Sequence, residues 1–328
     1  MRDRSFDIAK ALGIILVVYG HALIGVASAL SPDQVSVAAL ISIYAFHMAL
    51  FFAISGTFAG NALSESPRVF GLRLLKRLIH PYIVWSVILI TAHYYMSAFT
   101  NTPMAHLDYT GILHAPPAVM WYLYVLVLYF VIAWSIQRLP VFVQFGFAIA
   151  LMIAGYCIDL WLLVHFRYFI VFLLALRVGP KRIKQWSTDP RIVAISCVVM
   201  LFTIAMAWFE AGGEYGEVLA LHLHYVPALF AGPILVFAIS SRIADPTPVE
   251  AQSRRYGWIS ALTAIGERTL PIYVSHILVT AGVRILLSRL GVENGYVLVI
   301  AATLAGIVLP IIGYEIAKRI KVDRLLGL

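Results

Sequence analysis

The chain of 328 residues is 62% hydrophobic and only 12% charged, where soluble domains carry roughly 25% charged residues. That much apolar surface cannot be hidden in one soluble core, so the composition excludes an ordinary soluble enzyme. The formal net charge of +8 does not point to nucleic acid, because the basic residues sit in short segments between apolar runs.

Apolar runs long enough to cross a bilayer as helices lie near 8–29, 36–62, 81–98, 118–137, 141–158, 161–178, 192–209, 222–241, 269–288 and 296–317. The fifth and sixth are the weakest, since only Cys157-Ile158-Asp159 separates them and the fifth is short. Alternating the runs from an inner first terminus leaves only Arg167, Arg284 and Arg289 near the outer side. All other Lys and Arg fall inside, as the positive-inside rule requires of short loops. The expected architecture is an all-α polytopic membrane protein, a bundle of about ten transmembrane helices with both termini cytoplasmic. It forms one integral-membrane domain over 1–328, with the lipid bilayer as its partner.

Within the first run, His21 lies eleven positions after Lys10. Eleven steps of about 100° return a helix nearly to the same face, roughly 16 Å further along. An ionisable side chain inside a span is costly, which makes it a functional-site candidate. Lys10 can hold Asp7, three residues earlier on the same face, attract an anionic ligand, or simply snorkel to the interface. Arg2, Arg4 and the Ala27-Ser28-Ala29 sequence also allow a secretory-signal reading. The length of the run and its His21 argue against cleavage.

The second run carries His47 at a depth comparable with His21, followed by Phe51-Phe52-Ala53-Ile54-Ser55-Gly56, a kink or close-approach point. Segment 66–80 differs from its neighbours. Arg73, Lys76, Arg77 and His80 alternate with leucines at helical spacing, as on a helix lying on the inner membrane surface. Its cations suit a phosphate-bearing ligand or anionic lipid headgroups. Pro81 then opens the third span at a tolerated position.

The outer segment 99–117 offers His106, Asp108 and His114 without any Lys or Arg, and segment 210–224 offers Glu210, Glu214, Glu217, His222 and His224. Solvation alone explains most of these. Trp121-Tyr122 stands at the outer edge of the fourth span, where an aromatic belt and stacking on a sugar are both possible. Cys157 and Cys197 lie in apolar context without metal-ligand spacing, so they are expected to be buried as small apolar residues. No metal is expected.

His276, seven residues into the ninth run, is the third mid-membrane histidine. Each alone can be a hydrogen-bonded packing residue. Imidazole nevertheless suits proton chemistry, since it titrates near neutrality and its neutral form can take a proton from an attacking hydroxyl.

These residues, in this order, resemble the integral-membrane acyltransferase-3 family, in particular its sugar O-acetylase branch (fucose 4-O-acetylase-like proteins). The likeness spans nearly the whole chain. It rests on Arg4-Ser5-Phe6-Asp7-Ile8-Ala9-Lys10 leading to Gly20-His21, and on Phe46-His47-Met48 followed by Phe51-Phe52 and Ser55-Gly56. Arg73 and Arg77 ahead of Pro81, Met120-Trp121-Tyr122-Leu123, and Gly266 followed by Thr269, Tyr273 and His276 complete it. Two departures stand out: Lys10 replaces an arginine frequent in relatives, and Glu267-Arg268 brings charge where less charged residues are common.

The resemblance implies acyl transfer from a cytoplasmic acyl-CoA, acetyl-CoA in the simplest case, to a hydroxyl of a carbohydrate or lipid-linked sugar at a bacterial inner membrane. His21 would then be the base and Lys10 its support at the inner end, with Arg73, Lys76 and Arg77 on CoA phosphates. His47, Tyr273 and His276 would line the reaction site, alongside Asp7, Ser55, Trp121 and Tyr122 as binding residues. A proton-coupled transporter also accounts for midplane ionisable residues, although no internal repeat is visible.

Overall fold

The computed structural model describes residues 3–27, 33–99, 103–211, 223–244 and 256–328. Every regular element among them is helical. In chain order these are α1 (Arg4–Ala27), α2 (Gln34–Tyr44), α3 (His47–Thr57), α4 (Gly60–Leu63), α5 (Pro67–Leu74), α6 (His80–Tyr95), α7 (Gly111–His114) and α8 (Trp121–Ile136). There follow α9 (Val141–Cys157), α10 (Trp161–Phe166), α11 (Phe169–Thr188), α12 (Pro190–Ala211), α13 (Val226–Ala244), α14 (Tyr256–Glu267), α15 (Thr269–Arg289) and α16 (Gly295–Arg319).

Nine helical stretches among the described residues are long and apolar enough to cross a membrane, so the chain is a multi-pass membrane protein. They coincide with nine of the ten runs read from the sequence. The remaining run is α9, which is apolar but only 17 residues long. At 1.5 Å per residue it reaches about 25 Å, short of a hydrocarbon core of about 30 Å.

Three local features depart from the run boundaries. The second run is interrupted at Ala45 and Phe46, so His47 opens a new helix rather than lying mid-helix. Segment 66–80 continues into the third span as one stretch, Pro67–Tyr95. Its Leu75–Ile79 turn is π-helical and lies just ahead of Pro81, whose ring and missing N–H disturb the carbonyl one turn back. A widened turn lets the helix pass such a point. Finally, α14 forms in the segment between the eighth and ninth runs, to which the sequence reading assigned no element.

The two cysteines correct an expectation: Cys157 and Cys197 are free and exposed on their helices. An apolar neighbourhood in sequence means burial in a soluble protein, but in a membrane protein the outward face is apolar too. The Ser28-Ala29 positions of the signal reading, and Glu214, Glu217 and His222, lie outside the described residues.

The chain divides into two compact units that interleave in sequence. The first unit comprises Met1–Gly13, Gln34–Ser66 and Leu128–Glu267. Here α11 packs on α3, α9 and α13, while α12 packs on α13 and α2. Its buried centre is aromatic: Tyr129 stands between Phe52, Phe169 and Phe172, with ring centroids 4.7 to 5.6 Å away. The Tyr129 hydroxyl donates to the His165 carbonyl at 2.6 Å, so the polar end of this buried ring is satisfied.

The second unit comprises Ile14–Asp33, Pro67–Val127 and Arg268–Leu328. Its main pair is α15 against α16, with α15 also packed on α6 and on the short turn Ala118–Met120. The C-terminal residues return to α6, where Trp85 Nε1 donates to the Leu326 carbonyl at 3.0 Å.

Candidate functional site

The second unit brings two of the three sequence-identified histidines together. His21 on α1 and His276 on α15 have ring centroids 5.3 Å apart with planes inclined at 46°. His276 is completely buried. Its Nδ1 faces two carbonyls of its own helix, Tyr273 O at 2.7 Å and Ile272 O at 3.1 Å. Carbonyls only accept, so Nδ1 carries the proton and the opposite nitrogen, Nε2, presents a lone pair when the ring is neutral. That Nε2 has no hydrogen-bond partner among the described residues. Leaving a buried polar atom unpaired costs about 1–3 kcal/mol, and such exceptions call for an explanation.

Close packing holds this pair. Gly306 on α16 lies where a Cβ would come within 2.7 Å of Thr280 Cγ2, 2.8 Å of Val18 Cγ1 and 4.0 Å of His276 Cβ. Only a residue without a side chain lets α16 approach α15 and α1 so closely. Small residues serve the same purpose at helix contacts throughout membrane proteins.

One turn before His276, Tyr273 is buried and its hydroxyl donates to the Val119 carbonyl. The Tyr122 ring meets Tyr273 edge-on at 5.5 Å. Tyr122 is buried, so it faces the protein interior rather than forming part of a lipid-facing belt. Trp121 is half-buried beside it, ring centroids 6.4 Å apart. The turn that supplies Val119 contains Ala118 at φ +45°, a left-handed conformation that non-glycine residues rarely adopt. The Arg268 role left open by the sequence is an ion pair: its guanidinium reaches Glu315 at 2.7 Å.

Arg73, Lys76 and Arg77 belong to this unit as well. Arg73 ends α5 half-buried, while Lys76 and Arg77 are exposed on the π turn.

Other predicted site residues fall in the first unit. Lys10 Nζ donates to Asp7 Oδ1 at 3.2 Å with Asp7 almost fully buried, the three-residue pairing expected from the sequence. Both line a cavity of about 780 Å³ at the start of α1. His47 is buried; its Nδ1 donates to the Ile43 carbonyl at 3.0 Å and its ring meets Tyr44 at 4.6 Å. That bond spans the interruption between α2 and α3, where the same carbonyl also accepts from the Phe46 amide at 3.3 Å. Ser55 is half-buried on α3.

Sequence reasoning did not identify Gly306, Thr280, Lys181 or Lys184. Gly306 and Thr280 carry no chemistry and lie in plain apolar runs, while the two lysines read only as inner-side charge. Among the described residues no group of His, Cys, Asp and Glu is arranged to hold a metal ion.

Comparison with known proteins bears on this geometry. A family profile described as an acyltransferase domain matches residues 3–315. The nodulation protein NolL of Mesorhizobium japonicum (strain LMG 29417 / CECT 9101 / MAFF 303099) is 25% identical over 293 residues, covering 83% of this chain and 75% of its own length. NolL of Sinorhizobium fredii (strain NBRC 101917 / NGR234) is 37% identical over 94 residues, 28% of this chain and 25% of its own. No solved structure matches.

Proposed function

The chain belongs to this acyltransferase-domain family, and from that premise we propose that it moves an acetyl or similar acyl group from cytoplasmic acyl-CoA to a carbohydrate hydroxyl. The acceptor is a surface polysaccharide or a lipid-linked sugar, and the membrane is the bacterial inner membrane. The proposed chemistry needs neither a metal nor nucleic acid.

One observation carries the assignment of roles: a completely buried imidazole, His276, has an unpartnered Nε2, and its ring centre lies 5.3 Å from that of His21. His21 is the base. It takes the proton of the acceptor hydroxyl as that oxygen bonds to the thioester carbonyl carbon. The carbon–sulfur bond breaks, and the proton passes from the imidazolium to the departing thiolate. His276 is a positioning residue: its ring, fixed in one tautomer by the Tyr273 and Ile272 carbonyls, packs beside His21 and favours one orientation and protonation state of it. Tyr273 and Tyr122 wall the site.

Arg73, Lys76 and Arg77 of the second unit are the cationic partners for the donor's phosphates, Arg73 and Arg77 through their planar forks; in the first unit Lys10 is held by Asp7. His47 and Ser55 shape the interrupted second span. Proton removal by a placed base contributes about 10²–10⁴-fold, and holding donor and acceptor together supplies much of the rest.

Both termini are cytoplasmic in this scheme, which requires the 17-residue α9 to cross as a tenth span. Family membership favours acyl transfer over proton-coupled transport. Mass spectrometry of the host's surface glycans with and without the gene tests the reading. An acyl-sized mass difference supports it, and identical glycans together with no CoA binding by the purified protein refute it.

A further inference from the structure

The first unit contains a basic cavity at a break in α11. Gly179 has φ +72° and ψ 170°, a state that glycine enters without penalty. Pro180 then begins a new helical run, a position its fixed φ suits. From there Pro180, Lys184 and Thr188 recur every four residues with Lys181 and Gln185 beside them, so one helix face lines the cavity. Asp3, Asp7 and Lys10 line it from the start of the chain.

The charges do not cancel. Three lysines and two carboxylates line the cavity, where Lys184 Nζ donates to Asp3 Oδ2 at 3.1 Å and Lys10 to Asp7 at 3.2 Å. Lys181 has no ion-pair partner among the described residues and is exposed. The cavity therefore keeps a positive charge to spare. It also has an aromatic wall, Phe6 and Phe58, edge to face at 5.0 Å. Its volume of about 780 Å³ lies within the range of small-molecule sites.

We propose that this cavity binds a phosphate group of a substrate, with Lys181 as its principal cation and Lys10 and Lys184 as supports. The proposal rests on the acyl-transfer reading, in which two substrates carry phosphate. One is the nucleotide end of the CoA thioester and the other is a lipid-linked sugar. Their shared chemistry is a phosphate ester joined to a flat or apolar group, which the lysines and the phenylalanines match.

The test measures equilibrium binding of CoA and of a polyprenyl phosphate to the purified full chain in detergent, for wild type, Lys181→Glu and Lys181→Arg. Lys181→Glu is expected to weaken one ligand by about tenfold or more, the worth of one charge-assisted contact, while Lys181→Arg retains binding. Loss of CoA affinity assigns the cavity to the donor, and loss of polyprenyl phosphate affinity assigns it to the acceptor. Unchanged affinity of Lys181→Glu for both ligands overturns the proposal.

Should Lys181→Glu unfold, lysine-directed labelling of the wild type, read by mass spectrometry, takes its place. Protection of Lys181 by either ligand supports the site, and protection by neither overturns it. The outcomes separate from those of the acyl-transfer reading. Phosphate binding without any acyl transfer refutes that reading alone, and acyl transfer with an indifferent Lys181 refutes this proposal alone.

Discussion

The imidazole rings of His21 and His276 lie 5.3 Å apart, centre to centre, although 254 intervening residues separate them in the chain. Two helices of one unit supply them, and only one of the two rings has an unpartnered buried nitrogen. This arrangement divides the roles. His276→Ala is expected to lower kcat less than loss of His21 does, and to shift the acidic limb of the pH–rate profile. A purely structural role for His276 predicts loss of folded protein with an unshifted profile in what remains.

Packing around the pair is equally testable. Gly306→Ala places a methyl within 2.7 Å of Thr280 Cγ2 and 2.8 Å of Val18 Cγ1, both ends of short, stiff side chains. Overpacking of this kind costs about 1–3 kcal/mol. A lower Tm in detergent, partly restored by Thr280→Ser, checks it.

Gly266→Ala should be worse. A Cβ there would meet the Asp7 carbonyl oxygen at 1.8 Å, and backbone cannot swing aside as a side chain does. Helix α14 would have to move away from α1, in the same unit. The expected readout is loss of monodisperse protein, against near-normal behaviour of Gly257→Ala, where nothing lies within 4 Å.

The start of α1 gives a pH dependence with a definite sign. Burial works to raise the Asp3 carboxyl, but hydrogen bonds from the Ser5 hydroxyl and amide, and from Lys184, outweigh it and hold it below its ordinary value of 3.8. A carboxyl depressed by folding stabilises the fold above its unfolded pKa, and that contribution is lost as pH falls through the folded value. Protection of the Ser5 amide, which donates to Asp3 Oδ1 at 3.0 Å, is therefore expected to stay constant from neutral pH down to about 4.5. It should fall only below 3.8. Asp3→Asn should make it pH-independent across that window, as hydrogen exchange corrected for the intrinsic rate can show.

Topology supplies another test. Reporter fusions after Arg138 and after Asp159 should report opposite sides if the 17-residue α9 crosses, keeping both termini cytoplasmic. The same side for both fusions would place the termini on opposite faces.

Most of the helices were legible because apolar length is a strong signal in a chain this poor in charge. The Lys10–Asp7 pair was legible for a similar reason, since it depends only on three-residue spacing. The interruption at Phe46 was not. No proline or glycine marks it, and it arises where the Phe46 ring fills the space left by Gly232 on α13, so close that a Cβ there would stand 2.2 Å from the ring. The cysteines misled because sequence hydropathy cannot tell a lipid-facing surface from a protein core. Ser55-Gly56 was read as a close approach, and Gly56 does lie where a Cβ would meet the Phe172 carbonyl at 2.2 Å. That His21 and His276 meet could be suspected from their residue type and depth, but contacts between distant helices depend on packing that periodicity does not encode.

Acyl transfer by the purified wild type and His21→Ala, with radiolabelled acetyl-CoA and a lipid-linked sugar, bears most directly on the assigned base. The account predicts label in the sugar with the wild type and a rate lower by about 100-fold or more with the variant, both proteins giving the same thermal melt. A folded His21→Ala protein that transfers label at the wild-type rate would contradict it.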